Sequence, residues 1–257
     1  MRIAAVSYRT RNLGDYIQQL ALEQLCPGIT LHVDRDNLTP ATAWDADVRW
    51  IICGWFSAGA HRPWPPPGRS HKLFIGFHAT DARLLPTSAE LPIGCRDPWT
   101  LGLCQRRAIR AWLSYCITLT LPYSDVARTE EVLLVDVPQH VYPSLPPSVA
   151  AGTRFTHCVD PAAGNLDHAR AALERYARAR LVVTTRLHAL LPCAAMGTPV
   201  VLARRQVRDE RFIGYTRLAW SLSNAPWDHP LPRVEPSSIR EMMQPLRQTV
   251  QEFTRQD

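Results

Sequence analysis

The sequence predicts an α/β protein made of two lobes, each a parallel β-sheet covered by helices. Strand-like and helix-like segments alternate through both halves of the chain, which favours parallel sheets. The run at residues 181–183 is continuously apolar, as expected of a strand buried on both faces. Apolar residues make up 46% and charged residues 20% of the 257 residues, so a folded protein of one large or two small domains is expected.

The first lobe begins with a strand, a turn and an amphipathic helix. Residues 3–8 form a short β-rich run, and the helix after them carries Ile17, Leu20, Ala21 and Leu25 on one face. The later elements of this lobe are strand 48–53, a proline-rich loop over 61–68, strand 73–77 and helix 99–105.

The second lobe continues the alternation of strands and helices. Its predicted elements are strand 132–137, a proline-rich loop over 138–147, strand 155–159, helix 167–178, strand 181–184, a helical segment ending at 196, strand 199–203 and an irregular stretch over 212–220. A polar helix over 237–253 is expected to pack back across the lobes. We therefore divide the chain into residues 1–120, 121–235 and 236–257.

Charge and cysteine content argue against several other classes of protein. The 29 basic residues outnumber 23 acidic ones, but they form no basic block, so we expect no nucleic-acid partner. No apolar run of about 18 residues occurs and the start turns polar too soon for a secretory leader, so we expect a cytoplasmic protein. The seven cysteines form no C-x-x-C pair and are expected to be reduced core thiols. No two histidines are spaced i, i+4, and we expect no metal.

The strongest candidate site follows the strand predicted at residues 181–184. Substrates bind beyond the carboxyl ends of parallel strands, where Thr184, Thr185, Arg186 and His188 stand. A guanidinium at the start of a helix is unfavourable by up to about 1 kcal/mol unless an anion offsets its repulsion from the helix dipole. Because that helix start also exposes backbone N–H groups, we predict a phosphate or carboxylate site.

A structural interpretation of the same residues stays open. Arg186 could pair with a carboxylate of the protein, and His188 could be a hydrogen-bonded core histidine. Pro192 would remove a donor and clash with the residue four positions earlier. The helix is therefore expected to start late or to kink.

A second candidate lies at the first strand–helix junction. Asn12 is a good helix cap, Gly14 permits close approach of the backbone, and Asp15 favours the helix dipole. Simple capping explains these residues as well as function does. Because Asp15 would repel an anion, its functional role would be to bind or deprotonate a sugar hydroxyl. No G-x-G-x-x-G or P-loop pattern is present to bind a dinucleotide or nucleotide phosphates.

A third candidate lies in the segment 92–100, where Arg96 and Asp97 precede a proline that enters a helix. They could pair or cap the helix, or they could form a polar wall of a cleft. His78 follows the strand predicted at 73–77 and is placed similarly, although a lone histidine is more often structural.

Three blocks of the chain together resemble the polysaccharide pyruvyl transferase family. They are NLGDYIQ at 12–18, GCRD at 94–97, and RLHA at 186–189 followed by GTPVV at 197–201. Each block is weakly specific by itself, whereas their order is fairly specific.

The resemblance implies a fold similar to that of GT-B glycosyltransferases, with two Rossmann-like lobes facing a cleft. Phosphoenolpyruvate would be the donor substrate, bound by the second lobe, and a sugar on the first lobe the acceptor. The product would be a pyruvate ketal, with phosphate released and no further cofactor. Arg186 would bind the donor and His188 would protonate it, while Arg96 adds positive charge and Asp15 or Asp97 orients or deprotonates the acceptor.

One departure from the family concerns the junction of the lobes. Many members carry a G-D-P-A-type motif there, and this chain has the segment 114–118 (SYCIT), which lacks the acid. Two other functions therefore remain open at this stage: a glycosyltransferase that uses a nucleotide sugar, and a non-catalytic scaffold of a polysaccharide assembly complex. A lipid-linked acceptor would bring the protein to the inner face of the membrane without a spanning helix. The acceptor sugar and the oligomeric state are not predicted.

Overall fold

The computed structural model describes residues 1–57, 59, 61–87, 89–162, 165–204, 209–227 and 234–255. The chain divides into two compact units. Unit 1 comprises Met1–Arg9, Ala21–Ile117 and Met243–Asp257, and unit 2 comprises Thr10–Leu20 and Thr118–Met242.

Unit 1 contains a sheet of six parallel strands. The strands are β1 (Arg2–Ser7), β2 (Ile29–Asp34), β3 (Val48–Phe56), β4 (His71–Ala79), β5 (Ile93–Cys95) and β6 (Ala111–Leu113). They lie in the order β2-β1-β3-β4-β5-β6.

Unit 2 contains a sheet of five parallel strands. The strands are β7 (Val132–Val135), β8 (Thr153–Phe155), β9 (Leu181–Thr184), β10 (Val200–Leu202) and β11 (Trp220–Ser221). Their order is β8-β7-β9-β10-β11. If the strands of each sheet are numbered along the chain, both sheets have the order 2-1-3-4-5, and the sheet of unit 1 adds a sixth strand. In sheets of this order, ligands bind where the connections diverge, beyond the carboxyl ends of the first and third strands. In unit 2 that place lies between β7 and β9.

In the described ranges, six α-helices connect or flank the strands. They are α1 (Leu13–Leu25), α2 (Pro98–Arg106), α3 (Pro147–Ala150), α4 (Asn165–Arg178), α5 (Leu187–Met196) and α6 (Pro236–Arg255). Short 3₁₀ turns supplement them within the described part of the chain. No helix formed by the described residues is long and apolar enough to cross a membrane.

The predicted α/β class with two parallel sheets is confirmed. The strands expected at 3–8, 48–53 and 73–77 are present with bounds shifted by a few residues, and so is the helix expected at 99–105. The sequence reading missed β2, β5 and β6. β5 and β6 have three residues each, and β2 is an edge strand whose residues are mostly half-buried or exposed, so none carries a strong apolar run.

The strand expected at residues 155–159 is wrong in its bounds, because β8 ends at Phe155. The residues after it pair instead with the segment before α1: the Leu13 amide donates to the His157 carbonyl, and the Val159 amide to the Arg11 carbonyl. The loop expected at 138–147 contains a 3₁₀ helix and the short α3. Pro147 begins α3, where its fixed φ suits the first turn of a helix, and Pro143 lies inside the 3₁₀ helix.

All seven cysteines are free in this structure, and their reduced state stays a prediction. Six of them are buried and Cys158 is exposed.

In unit 1, the carboxyl half of α6 buries Met243, Leu246, Val250 and Phe253 at helical spacing. Whether this helix packs across both lobes stays a prediction.

Arg128 binds the carbonyl ends of two helices in unit 2. Its Nη1 donates to the Ala177 carbonyl at the end of α4 and to the Thr198 hydroxyl at 2.9 Å, and its Nη2 donates to the Gly197 carbonyl just after α5 at 2.9 Å. A cation at a helix carboxyl end satisfies free carbonyls and the negative end of the dipole. Arg128 therefore holds α4 and α5 together.

We expect Arg128→Met to lower the free energy of unfolding by about 2 kcal/mol or more, because several charge-assisted hydrogen bonds to half-buried carbonyls are lost. Urea denaturation measures this change. Arg170→Met is the matched control: Arg170 is exposed on α4 and pairs with Asp167, so its loss should cost less than about 1 kcal/mol. Equal losses in the two variants would contradict the role assigned to Arg128.

Candidate active site

Three strand ends meet at the carboxyl edge of the sheet in unit 2. Thr184 is the register partner of Val135 in β7 and of Leu202 in β10. The next residues along each strand therefore lie at the same edge. These are Asp136 after β7, Thr185 and Arg186 after β9, and Ala203 and Arg204 after β10.

Hydrogen bonds from two threonines build the loop between β9 and α5. The Thr184 hydroxyl donates to the Val135 carbonyl at 3.2 Å and accepts from the Arg186 amide at 2.9 Å. The Thr185 hydroxyl donates to the Asp136 carbonyl at 2.8 Å. Through these hydrogen bonds both side chains shape the loop. Thr184 is also fully buried. Direct contact of either with a substrate stays a prediction.

Arg186 occupies the N-cap position of α5 without a side-chain capping hydrogen bond, and it pairs with Asp136. Its Nε donates to Asp136 Oδ2 at 2.7 Å, and 43% of its side chain is exposed. Among the described residues, neither Nη group of Arg186 has a protein partner. The structural interpretation and the anion-site interpretation are therefore compatible, because the ion pair leaves four of the five N–H donors available.

Asp136 is a site residue that the sequence reading missed. It has a left-handed backbone (φ 49°), and its carboxylate accepts from the Thr156 hydroxyl at 2.8 Å, the His157 amide at 2.9 Å and Arg186. Burial raises the pKa of this carboxyl, but these hydrogen bonds and the Arg186 charge bring it below its ordinary value. It lies inside the strand predicted over 132–137, whereas β7 ends at Val135, and its polar side chain after the apolar run 132–135 was the signal that could have identified it.

His188 lies where α5 bends. Its backbone is not helical (φ −85°, ψ 18°), which confirms the expected kink. The reason is Pro192, four residues later, which cannot donate to the His188 carbonyl and whose ring crowds it. The imidazole is 9% exposed.

Gly14 packs directly on the His188 side chain. A Cβ at Gly14 would lie 2.8 Å from the His188 Cβ and 2.9 Å from its Nδ1. Any larger residue would displace the imidazole. The structure thus brings the first and second candidate sites of the sequence together within unit 2.

Asn12 and Asp15 form the turn that positions Gly14. Asn12 caps α1 by accepting from the Gly14 amide at 3.2 Å. The Asp15 carboxylate accepts from the Thr10 hydroxyl at 2.8 Å and from the Asn12 amide group at 3.2 Å, and Asp15 is 7% exposed. The capping role of Asn12 is therefore present, and action of Asp15 on a sugar hydroxyl stays a prediction.

Two further arginines at this edge were missed from sequence. Arg204 donates to the Thr185 carbonyl from Nε at 3.2 Å and from Nη2 at 3.1 Å. Arg211 binds Asp209, which also accepts from Arg204 at 3.3 Å. Burial raises the pKa of Asp209, but the hydrogen bond from Arg211 and the charges of both arginines bring it to about 2. Arg204 could have been noticed because it follows a strand, as Arg186 does.

His78, Arg96 and Asp97 form a separate buried cluster in unit 1. His78 Nδ1 lies 2.6 Å from Asp97 Oδ2, and Arg96 Nε lies 3.7 Å from the same oxygen. Asp97 also caps α2 by accepting from the Thr100 amide at 2.9 Å. Burial raises the Asp97 pKa, but the His78 hydrogen bond and the nearby charges lower it below its ordinary value. The pairing and capping alternatives are thus both present, and a role in binding substrate stays a prediction.

The junction segment that departs from the family motif supports the same sheet edge in unit 1. The Ser114 hydroxyl accepts from the Gly76 amide at 3.0 Å and donates to the Cys95 carbonyl at 3.2 Å. Ser114 is buried, and its hydroxyl connects the backbones of two strands beside the GCRD block.

Among the described residues, no group of three or more His, Cys, Asp or Glu side chains could hold a metal.

His157 lies behind the Asp136–Arg186 pair. It is buried, and its Nε2 is hydrogen-bonded to the Tyr176 hydroxyl at 2.5 Å. Burial lowers the pKa of His157 to about 4. The imidazole is therefore neutral at physiological pH.

These features define an α/β protein with two parallel sheets and a cluster of arginines at the carboxyl edge of the second sheet. The family model described as polysaccharide pyruvyl transferase matches residues 12–204, which include all three sequence blocks. The chain belongs to this family, as the sequence resemblance predicted.

Other comparisons add no function. No curated protein matches the chain. Among solved structures, a match is the solution structure of the E. coli RcsC C-terminus, which contains a linker region and a phosphoreceiver domain. It is 13% identical, covers 99% of this chain and 96% of that chain, and has a TM-score of 0.19, too low to support any argument about fold or function.

We expect Gly14→Ala to lower the free energy of unfolding by about 1–3 kcal/mol, because the added methyl group overlaps His188. Chemical denaturation provides the measurement. Gly102→Ala is the matched helical control, since its Cβ meets only the end of the Arg106 side chain, at 3.3 Å. That substitution should stabilise the protein by about 0.5–1 kcal/mol. Stabilisation by both would show that Gly14 is not needed for His188 packing.

The depressed pKa of His157 predicts a pH dependence of stability. Between about 6.5, the pKa of an unfolded histidine, and about 4, the unfolded chain binds a proton that the folded protein does not. This contribution to stability is complete above pH 6.5 and falls by about 3 kcal/mol as the pH drops to 4. Urea denaturation at several pH values should show the loss in the wild type and a smaller loss in His157→Gln. Identical pH profiles would rule His157 out as its source.

Proposed function

We propose that this protein transfers the enolpyruvyl group of phosphoenolpyruvate to a sugar of a surface polysaccharide or of its lipid-linked precursor. The product is a pyruvate ketal, and phosphate is released. Family membership supports polysaccharide pyruvyl transfer in general. The donor assignment depends on the position of Arg186. This residue lies beyond the carboxyl ends of β7 and β9, where the connections of the sheet diverge, and both of its Nη groups are free of partners among the described residues.

Donor binding is assigned to the loop between β9 and α5. The Arg186 guanidinium binds an anionic group of phosphoenolpyruvate, and the N–H groups at the start of α5 add favourable dipoles. Thr184 and Thr185 hold the loop in this shape through their hydrogen bonds to Val135 and Asp136. Because arginines neutralise the donor, the proposed reaction uses no metal and no cofactor.

The reaction needs an acid and a base. As the first sugar hydroxyl bonds to C2 of the donor, His188 delivers a proton to C3 and a carboxylate takes the hydroxyl proton. The second hydroxyl then bonds to C2 while the bond from C2 to the phosphate oxygen breaks, and phosphate leaves with the remaining proton. Two C–O bonds and one C–H bond form while one C–O bond and the π bond between C2 and C3 break, and the two hydroxyl protons end, through His188 and the carboxylate, on C3 and on phosphate, so the atoms balance.

Asp15 is the favoured base. It lies next to Gly14, which contacts His188, and it belongs to the same unit as Arg186. Asp97 is the alternative, but it belongs to unit 1, whereas Arg186 and His188 belong to unit 2. Arg96 and His78 are assigned to acceptor binding in unit 1, where Arg96 supplies positive charge.

We place the reaction in the cytoplasm. Phosphoenolpyruvate is a cytoplasmic metabolite, and seven free cysteines suit a reducing compartment. A lipid-linked acceptor would bring the enzyme to the inner membrane face as a peripheral protein.

Donor binding tests this function without knowledge of the acceptor. Calorimetry and thermal unfolding should show that phosphoenolpyruvate binds the wild type, whereas UDP- and GDP-sugars do not. A donor at a hundredfold excess over its Kd stabilises the protein by about 2.7 kcal/mol. Arg186→Gln should abolish this stabilisation, while His188→Gln should keep it, because the proton is needed for chemistry and not for binding.

Arg170→Gln serves as the control for loss of a positive charge in the same unit. Stabilisation by a nucleotide sugar alone would assign the chain to the glycosyltransferase alternative. Binding of none of these donors in the presence of saccharide acceptors would favour the scaffold alternative. Normal donor affinity in Arg186→Gln would remove that residue from the donor site.

A further inference from the structure

Arg204 lies beside the proposed donor loop because β9 and β10 are paired. Leu202 is the register partner of Thr184, and the Ala203 amide donates to the Thr184 carbonyl at 2.7 Å. Arg204 is therefore two residues beyond β10, as Arg186 is two residues beyond β9. Both guanidinium groups belong to the same edge of the sheet.

The Arg204 side chain is held in place on three sides. Its Nε and Nη2 both donate to the Thr185 carbonyl, its Nη1 donates to Asp209, and its guanidinium carbon lies 4.3 Å from the centre of the buried Phe212 ring. Three of its five N–H donors are thus engaged. The other two have no partner among the described residues. A fixed guanidinium with free donors loses little conformational entropy when it binds a ligand.

The charges around Arg204 are not balanced. One carboxylate, Asp209, faces it, together with the guanidinium groups of Arg211 and Arg186. Asp209 is itself bound through both oxygens by Arg211. Glu210 and Asp15 act on Arg211 rather than on Arg204. Burial lowers the Arg204 pKa, as expected of a cation that lacks full compensation. Arg204 pairs with Asp209 at 3.3 Å but shares this carboxylate with Arg211, whereas Arg186 is the one arginine that pairs with Asp136 among the described residues.

We propose that Arg204 is a second arm of the donor site and binds the phosphate group of phosphoenolpyruvate, while Arg186 binds its carboxylate. This inference rests on the proposed function and extends it to residues outside the RLHA block. The phosphate carries a larger negative charge than the carboxylate of phosphoenolpyruvate. It therefore suits Arg204, because Arg204 shares its neighbouring carboxylate, Asp209, with Arg211. Arg211 acts as a positioning residue, because it neutralises Asp209 and so leaves the Arg204 charge available.

A second arm also has a chemical consequence. The phosphate leaves in the proposed reaction, and charge grows on its bridging oxygen as the bond to C2 breaks. A fixed guanidinium at this oxygen stabilises that charge. Arg204 would therefore contribute to turnover as well as to donor binding.

Calorimetry with two probes, phosphoenolpyruvate and inorganic phosphate, tests the assignment on the whole chain. We expect Arg204→Gln to weaken binding of both probes about tenfold or more, since a charge-assisted pair of hydrogen bonds is lost. Arg186→Gln should abolish measurable phosphoenolpyruvate binding and change phosphate binding by less than about threefold. Arg204→Lys, which keeps the charge without the planar fork, should restore part of the affinity. Arg170→Gln should match the wild type.

The outcomes separate the two proposals. One outcome would overturn the second arm and keep the proposed function. In that outcome, phosphoenolpyruvate binding depends on Arg186 but stays within twofold of the wild type in a folded Arg204→Gln or Arg204→Lys protein. Arg204-dependent phosphate binding without any phosphoenolpyruvate binding would keep the phosphate site and overturn the function. Wild-type protein that binds neither probe overturns both. Thermal unfolding of each variant confirms that it is folded, and the lysine variant decides the question if the glutamine variant is not.

Discussion

The parallel pairing of β7, β9 and β10 is the constraint on which the candidate site depends. Because Val135, Thr184 and Leu202 are aligned, the polar residues that follow them reach one edge of the sheet without any long loop. Asp136 stabilises this edge through hydrogen bonds to residues that follow β8 and β9. Its carboxylate accepts from Thr156, His157 and Arg186, and its carbonyl accepts from Thr185. A half-buried carboxylate that accepts from several donors is rigid, and a rigid edge can present arginines in fixed positions.

The placement of His188 depends on two backbone features distant in sequence. Pro192 prevents a regular first turn of α5, and Gly14 leaves the volume that the imidazole occupies. The pairing of residues 11–13 with 157–159 brings the start of α1 to this position. Two sequence blocks separated by most of the chain therefore contribute to one cluster in unit 2.

The sequence predicted the long apolar strands and the amphipathic helices well, because their burial leaves a periodic pattern. It failed on β5 and β6, where three residues carry too little pattern, and on residues 155–159, whose partner is a distant segment rather than a strand of the sheet. For the site, Arg186, His188, Gly14 and Asp15 were found because they adjoin recognisable junctions. Asp136, Arg204 and Arg211 were missed because their significance depends on which strands are neighbours.

The sequence by itself determined the α/β class, the kink at His188 and the ordered motifs of the polysaccharide pyruvyl transferase family. These follow from local chemistry: apolar periodicity, the missing N–H of proline and residue types at fixed spacing. Only the tertiary structure decided that Asp136 pairs with Arg186, that Gly14 contacts His188, and that Arg204 lies beside the same loop. Such contacts join residues far apart in the chain, and strand order, which a local pattern does not contain, sets which of them meet.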